Sequence, residues 1–388
     1  MLRRILSTLI FCLMFGFLLA QADSLYLPQF ASPYYDSFSR NYNGTTAAGR
    51  GYTGAAILGS AENALLNPAS VIPDSALVYL EMNVKPSLEA VGYPMYANYV
   101  SSAPLGMFVL SAKMGDKLSW ALLYNNPKSI TLKDFSFYTN QGQSILQRFP
   151  TYNLHQATAM LSYHNGPLHL GLNLHNQIHY IDDPIFLRTY ERINDYQYNW
   201  RIQPGIIYQL GSTNIGFSMM PASNFDWDLK YAVYEAVLPM WMTAGVQFGK
   251  PDLRFAFDAE WEQCSDISDS FDDRYTFKAG LEKKKDNLIY RLGYHYASNV
   301  YSGNIYLAKN YALPDTSNAW DSVPETVYID DNAQHSLTAG LSYYHKYGVL
   351  NLAIMQVISG KVTKTQLNLS LSLYLKYIFS KKELYLYD

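Results

Sequence analysis

From Gln366 to Phe379 the residues alternate in character. Leu367, Leu369, Leu371, Leu373, Leu375, Tyr377 and Phe379 fall on one side; Gln366, Asn368, Ser370, Ser372, Tyr374, Lys376 and Ile378 fall on the other. A period of two marks an extended strand, because successive side chains point to opposite faces. Soluble strands are usually about five or six residues long. A strand that crosses a bilayer in a barrel needs about 9–11 residues and carries aromatic residues at the interface. The length of this run and its aromatic end match the second case.

The same alternation recurs. Leu168, Leu170, Leu172 and Leu174 alternate with His169, Gly171, Asn173 and His175. Leu253, Phe255, Phe257, Ala259 and Trp261 alternate with Arg254, Ala256, Asp258, Glu260 and Glu262. Tyr275, Phe277, Ala279 and Leu281 alternate with Arg274, Thr276, Lys278, Gly280 and Glu282, and Leu288, Tyr290, Leu292, Tyr294 and Tyr296 flank Arg291, Gly293 and His295. In a soluble sandwich the apolar face would be the core, so alternation alone fits either architecture. Connection lengths separate them. Short connections at 115–117, 165–167, 211–212, 250–252, 284–286 and 346–347 take turns with longer ones at 127–150, 182–195, 222–235, 265–271 and 298–332. An up-and-down barrel with short turns at one end and long loops at the other gives that order.

The predicted strands are 76–85, 94–114, 118–126, 151–164, 168–181, 196–210, 213–221, 236–249, 253–264, 272–283, 287–297, 333–345, 348–358 and 364–379. The expected fold is therefore all-β: a transmembrane antiparallel β-barrel of about 14 strands over 76–379, followed by a tail at 380–388. Even parity keeps 94–114 as one strand despite Pro104.

Composition excludes the main rivals. Only 16% of residues are charged, 35 are Tyr and mean hydropathy is −0.12, which fits strands with one apolar face rather than a bundle of membrane helices. A net charge of −3 leaves no basic footprint for nucleic acid. Arg3 and Arg4 precede an apolar run from Ile5 to Ala20 that closes on Ala20-Gln21-Ala22, so residues 1–22 read as a secretory signal peptide. Its removal leaves 27 basic against 32 acidic residues and one cysteine, Cys264, so no internal disulfide can form. Localisation in the outer membrane of a diderm bacterium follows, with outer-membrane lipid as the surrounding partner. No zinc-type Cys/His spacing, nucleophile–base set or phosphate loop stands out, so neither metal, cofactor nor enzymatic activity is expected.

The predicted inward face has its own pattern. Strands 253–264 and 272–283 form a hairpin closing near 268, which pairs residues whose numbers sum to 536. Arg254 then faces Glu282, Asp258 faces Lys278 and Glu262 faces Arg274. Opposite charges across a ladder are favourable. The ladder reads first as a stiffener of the inner wall, and second as a charged constriction. His169, His175 and His179 share an inward face but are spread along it, which suits polar lining better than a metal site.

Residues 23–75 are Gly-rich and not strand-like. They contain Gly49-Arg50-Gly51-Tyr52-Thr53-Gly54-Ala55-Ala56 and then Glu62-Asn63-Ala64-Leu65-Leu66-Asn67-Pro68-Ala69. This segment, with the signal peptide and fourteen strands, resembles the FadL-type outer-membrane transporter superfamily, in which the region forms an N-terminal hatch inside a fourteen-stranded barrel. The motif likeness covers about 49–69; the likeness in layout covers the whole mature chain. The resemblance implies a plug at 23–75 with Gly49, Gly51, Gly54, Asn67, Pro68 and Ala69 as hatch residues. Glycines allow close backbone approach in a crowded lumen, and Pro68 fixes the chain direction before the first strand. The resemblance further implies a monomer that takes up hydrophobic small molecules, such as long-chain fatty acids or aromatic hydrocarbons, through a plugged lumen. Two departures, the charged inner wall and the tail Lys381-Lys382-Glu383-Leu384-Tyr385-Leu386-Tyr387-Asp388, keep two alternatives open. One is the PorV/PorQ-type branch, whose partners are proteins of type IX secretion. The other is a structural barrel with a closed lumen.

Overall fold

The computed structural model describes residues 40–72, 76–85, 88–90, 97–99, 105–133, 135–138, 144–148, 151–183, 193–229, 232–267, 271–300, 304–306, 326–328, 333–345, 347–359, 362–363 and 365–380. The predicted signal peptide at 1–22, residues 23–39 and 73–75 of the predicted plug, and the tail after Ser380 lie outside them.

Fourteen antiparallel strands close on themselves. They are β1 Leu77–Val84, β2 Leu105–Met114, β3 Leu118–Lys133, β4 Thr151–Asn165, β5 Leu168–Asp183, β6 Ile193–Leu210 and β7 Thr213–Met220. The circuit continues through β8 Trp241–Lys250, β9 Leu253–Glu262, β10 Arg274–Lys285, β11 Leu288–Ala297, β12 Gln334–His345, β13 Gly348–Ser359 and β14 Thr365–Tyr374. Each pairs with the next, and β14 returns to β1 with Leu77 opposite Tyr374 and Val84 opposite Leu367. Closure leaves no sheet edge, the condition for strands to stand in hydrocarbon.

Short turns join the strands at one end. Gly115, Gly166 and Gly211 have φ of +78°, +58° and +61°, the left-handed values tight hairpins demand. The start of β1 and the end of β14 lie at this same end. The long connections at the other end carry small hairpins of their own, Phe135–Tyr138 with Ser144–Arg148, Ser223–Leu229 with Ala232–Leu238, and Asn304–Tyr306 with Thr326–Tyr328.

Parity sorts the wall. Leu367, Leu369 and Leu371 are exposed on the outside, while Gln366, Asn368, Ser370 and Ser372 are buried within. Tyr163, Tyr208, Phe248, Tyr290 and Tyr343 form an outward belt near the short turns, and Tyr196, Tyr198, Trp200 and Tyr275 lie toward the far end. From Trp200 to Tyr208 is about 26 Å of strand, or about 20 Å of depth at the usual tilt, close to the apolar band of an outer-membrane barrel. Among the described residues no helix is long and apolar enough to cross a membrane.

Several predicted boundaries change, and the strand expected at 118–126 runs on to Lys133. The strand expected at 94–114 starts at Leu105, directly after Pro104, which has no N–H for a ladder; Ala97–Tyr99 is a separate short strand. The strand expected at 236–249 starts at Trp241, because Ala232–Leu238 pairs back on Ser223–Leu229 instead. The final strand stops at Tyr374, where its partners β1 and β13 run out, and Leu375–Ser380 turns into a short helix. With no neighbour to pair with, the backbone satisfies itself locally. Tyr377 is consequently buried against Tyr374, rings 6.2 Å apart, rather than extending the strand's outer face.

Candidate functional site: the plug and the inner wall

Residues 40–72 occupy the barrel interior, and nearly all of them are buried. They follow the wall through a full lap in descending strand order. Tyr42 exchanges hydrogen bonds with Gln366 on β14 (3.2 and 2.8 Å) and accepts one from Asn368 (2.7 Å). The buried Glu81 carboxylate on β1 accepts from the Gly44 N–H and the Thr45 hydroxyl, both at 2.9 Å, and from the Tyr79 hydroxyl. A short helix, Thr45–Gly49, then carries the chain past β13 and β12. The Gly51 N–H donates to Thr338 Oγ1 on β12 (2.8 Å), and Arg50 Nη1 reaches Glu282 on β10 (3.0 Å).

At β9 the Gly54 and Ala55 N–H groups converge on Asp258 Oδ2 at 2.7 and 3.0 Å. Successive backbone N–H groups that converge in this way make an anion nest. Two 3₁₀ turns follow, Ala61–Leu65 and Pro68–Ser70. Asn173 Nδ2 on β5 donates to Ala64 O (2.8 Å) and Gln203 Nε2 on β6 to Leu65 O (3.1 Å). Ser162 on β4 donates to Val71 O (2.9 Å), the last anchor before β1.

Asn67 is buried and uses both ends of its amide. Its Oδ1 caps the second 3₁₀ turn by accepting from Ala69 N (3.0 Å), and its Nδ2 donates to Ala55 O within the plug (2.6 Å) and to the wall carbonyl of Ile206 (3.2 Å). Pro68 stands at the first position of that turn, where its missing N–H costs nothing. Ala69 is fully buried.

The wall is thinned where the plug touches it. Gly171, Gly205, Gly216, Gly245, Gly280, Gly293 and Gly340 form a belt across seven strands. Gly171 pairs with Gly205, Gly216 with Gly245, and Gly280 with Gly293 in the ladder register. A Cβ at Gly216 would lie 1.9 Å from Ala55 O, and one at Gly293 would lie 2.0 Å from Gly51 N. From the plug side, a Cβ on Gly51 would meet Tyr294 O at 2.5 Å and one on Gly49 would meet the Gly340 Cα at 2.9 Å. Gly54 differs: its nearest neighbour would be the Leu66 side chain within the plug.

The predicted register of the charged hairpin is the observed one, with Arg254 opposite Glu282, Asp258 opposite Lys278 and Glu262 opposite Arg274. The ion pairs only partly follow it. Arg274 does meet Glu262 (3.1 Å). Lys278 instead meets Glu260 two residues along (2.6 Å), since Asp258 is taken by the plug, and its ammonium lies 5.3 Å over the Tyr52 ring. Glu282 meets Arg291 of β11 (2.8 Å) and Arg50 of the plug (3.0 Å), whereas Arg254 makes no ion pair with it.

The histidines lie apart in the polar lining. His175 meets Thr158 (2.7 Å) and Gln203 (3.0 Å), His179 meets Tyr152 (2.7 Å), and His169 meets His164 (2.9 Å). Glu81, Glu260, Asn173, Gln203 and Thr338 escaped the sequence reading as plug contacts, Glu260 through an ion pair with Arg40 (3.3 Å). Each stands on the inward parity of its strand, which was the available signal.

Solved structures share this architecture. The toluene transporter TbuX of Ralstonia pickettii superposes with a TM-score of 0.59 at 16% identity, over 85% of this chain and 97% of that one. The P. putida toluene transporter TodX gives 0.58 at 16%, over 85% and 97%. The monoaromatic hydrocarbon channel CymD gives 0.56 at 15%, over 85% and 96%. The fold is the one these three solved channels share. No family model and no curated protein matches the sequence.

Proposed function

We propose that this chain is an outer-membrane channel that admits small hydrophobic molecules past its plug, working as a monomer with residues 1–22 removed on export. The observation that carries the reading is the continuous lap of residues 40–72, buried against the inner wall over most of its circuit. The likeness to toluene and monoaromatic hydrocarbon channels supports the substrate class, and the exposed apolar band supports the membrane setting. It equally favours a channel over an enzyme. The secretion-accessory alternative gains nothing from these likenesses.

In this reading Asn67, Pro68 and Ala69 fix the plug's return to β1, Gly49 and Gly51 seat it on the wall, and the charged hairpin holds its middle. Lipid vesicles containing the purified protein should take up toluene or a labelled fatty acid faster than empty vesicles while excluding sucrose. Equal uptake with and without protein would remove the transport reading and leave a structural barrel.

A further inference from the structure

Below the plug, at the short-turn end, lies a cavity of about 280 Å³ between Arg50, Ile57 and Glu62 of the plug and Arg254, Glu282, Lys284, Ile289 and Arg291 of the wall. Four cationic side chains line it against two carboxylates. Glu282 is already shared by Arg50 and Arg291. Arg254, exposed at the rim, makes no hydrogen bond or ion pair with any described residue, although it lies opposite Glu282 in the ladder. Arg50 is 5% exposed, and its Nε and Nη2 have no hydrogen-bond partner. These two nitrogens are one edge of the guanidinium fork, the edge that grips a carboxylate with two parallel bonds. Unpaired buried donors are costly and call for a partner. Glu62 has the complementary vacancy: Thr46 and Ser60 hydroxyls serve its Oε1, and its Oε2 accepts nothing. Ile57, Ile289 and Val349 supply apolar surface between these polar ends.

We propose that this cavity binds a small organic carboxylate that also carries a hydrogen-bond donor, with its charge held by Arg254 at the rim and, after a turn of the buried Arg50 and Glu62 side chains toward the cavity, by the unpaired edge of Arg50, and its donor directed to Glu62. The excess of cations selects an anion, the apolar middle selects an organic body, and the orphan carboxylate oxygen selects a hydroxyl or amino group. The site is open from the short-turn end and bridges plug to wall, so its occupant ties the two together. The inference goes beyond the transport reading and does not rest on it, since binding is read without any flux.

The test uses the full chain purified in detergent, with 4-hydroxybenzoate as probe and 4-hydroxybenzamide and benzoate as comparators, followed by calorimetry. Saturable 4-hydroxybenzoate binding is expected, with benzoate weaker and the uncharged benzamide weaker still. Arg254→Gln, at an exposed position that leaves folding intact, should weaken 4-hydroxybenzoate roughly tenfold, the loss of one charge-assisted contact. Glu62→Gln should narrow the difference between 4-hydroxybenzoate and benzoate, and Lys283→Ala, outside the cavity, should change nothing. No saturable binding at millimolar probe, equal affinity for the benzamide, or unchanged affinity in Arg254→Gln would each overturn the proposal.

Discussion

The two sides of the inner wall hold the plug by opposite chemistry. Over β4 to β6 the wall donates: Ser162, Asn173 and Gln203 give hydrogen bonds to the carbonyls of Val71, Ala64 and Leu65. Over β9 to β12 the wall mainly accepts: Asp258 takes the N–H groups of Gly54 and Ala55, Thr338 takes that of Gly51, and Glu282 takes Arg50. The first side is neutral and the second is charged. Both read the plug largely through its backbone, so the plug's own side chains can stay small and the glycine belt can bring the surfaces together. The difference lies in what happens when a partner is lost. A neutral amide removed leaves a carbonyl unsatisfied; Glu282 removed leaves Arg50 and Arg291 buried without a counter-charge, and Asp258 removed leaves two plug N–H groups unsatisfied at once, both of which cost more.

The largest test of this contrast replaces one belt glycine on each side. A Cβ at Gly171 would lie 2.2 Å from the Pro68 carbonyl carbon, and one at Gly293 would lie 2.0 Å from Gly51 N, so neither clash is relieved by turning a side chain. Gly171→Val and Gly293→Val should each cost the docked plug about 3 kcal/mol or more, while the barrel keeps its own ladder and its heat-modifiable gel mobility. Protease sensitivity of residues 40–72 reads the release. If both variants free the whole segment, the plug docks as one body; if each frees only its own half, the two sides act independently.

A smaller effect is expected at Asp258. Asp258→Ala should weaken the charged side by about 2–4 kcal/mol, read as faster amide exchange at Gly54 and Ala55, with Asp258→Asn recovering part. The exchange Asp258→Lys with Lys278→Asp, which the ladder register alone would expect to restore stability, should fail to do so because Lys278 is paired with Glu260. Recovery in that double variant would refute the role of Asp258 as the plug's acceptor.

On the neutral side, Gln203→Ala should cost about 1–2 kcal/mol by urea denaturation in lipid vesicles, with little response to salt. A loss as large as that of Asp258→Ala would erase the distinction between the two sides.

The smallest effect lies outside the lumen. Asp252, in the turn before β9, is held below the usual carboxylate range by a hydrogen bond from Lys283 (2.9 Å). A depressed folded-state value contributes stability above the unfolded value, and that contribution is lost as pH falls through the folded one. Lys283→Ala should move the Asp252 titration upward by NMR, and salt near 0.5 M should shrink the difference because the pair is exposed. An unchanged titration would show that the hydrogen bond carries no weight.

Much of the architecture was legible locally. Period two is a property of neighbours in sequence, and together with even parity and the order of connection lengths it located the fourteen strands, their inner and outer faces, and the end with tight turns. Hairpin register was legible too, because strands 253–264 and 272–283 follow each other in sequence and the charges on their inward faces match. The limits of strands were less so. The odd positions stay apolar from Leu373 to Phe379, yet β14 stops at Tyr374 where its neighbours stop.

The tertiary structure alone decided the plug's path and its partners. Gly54 and Asp258 are 204 residues apart, and Arg50 and Glu282 are 232 apart. The belt glycines are scattered from 171 to 340 and have no common local motif. Alternation assigned Gly171, Gly280 and Gly293 to the inward face without saying what would press against them. Alternation is set by backbone geometry at each residue, whereas contact between plug and wall exists only once fourteen strands close and bring a ring of small residues to one depth. Closure also settled the charges: Asp258 and Lys278 face each other across one ladder step, but each found a better partner in the third dimension, the plug's N–H groups for one and Glu260 for the other.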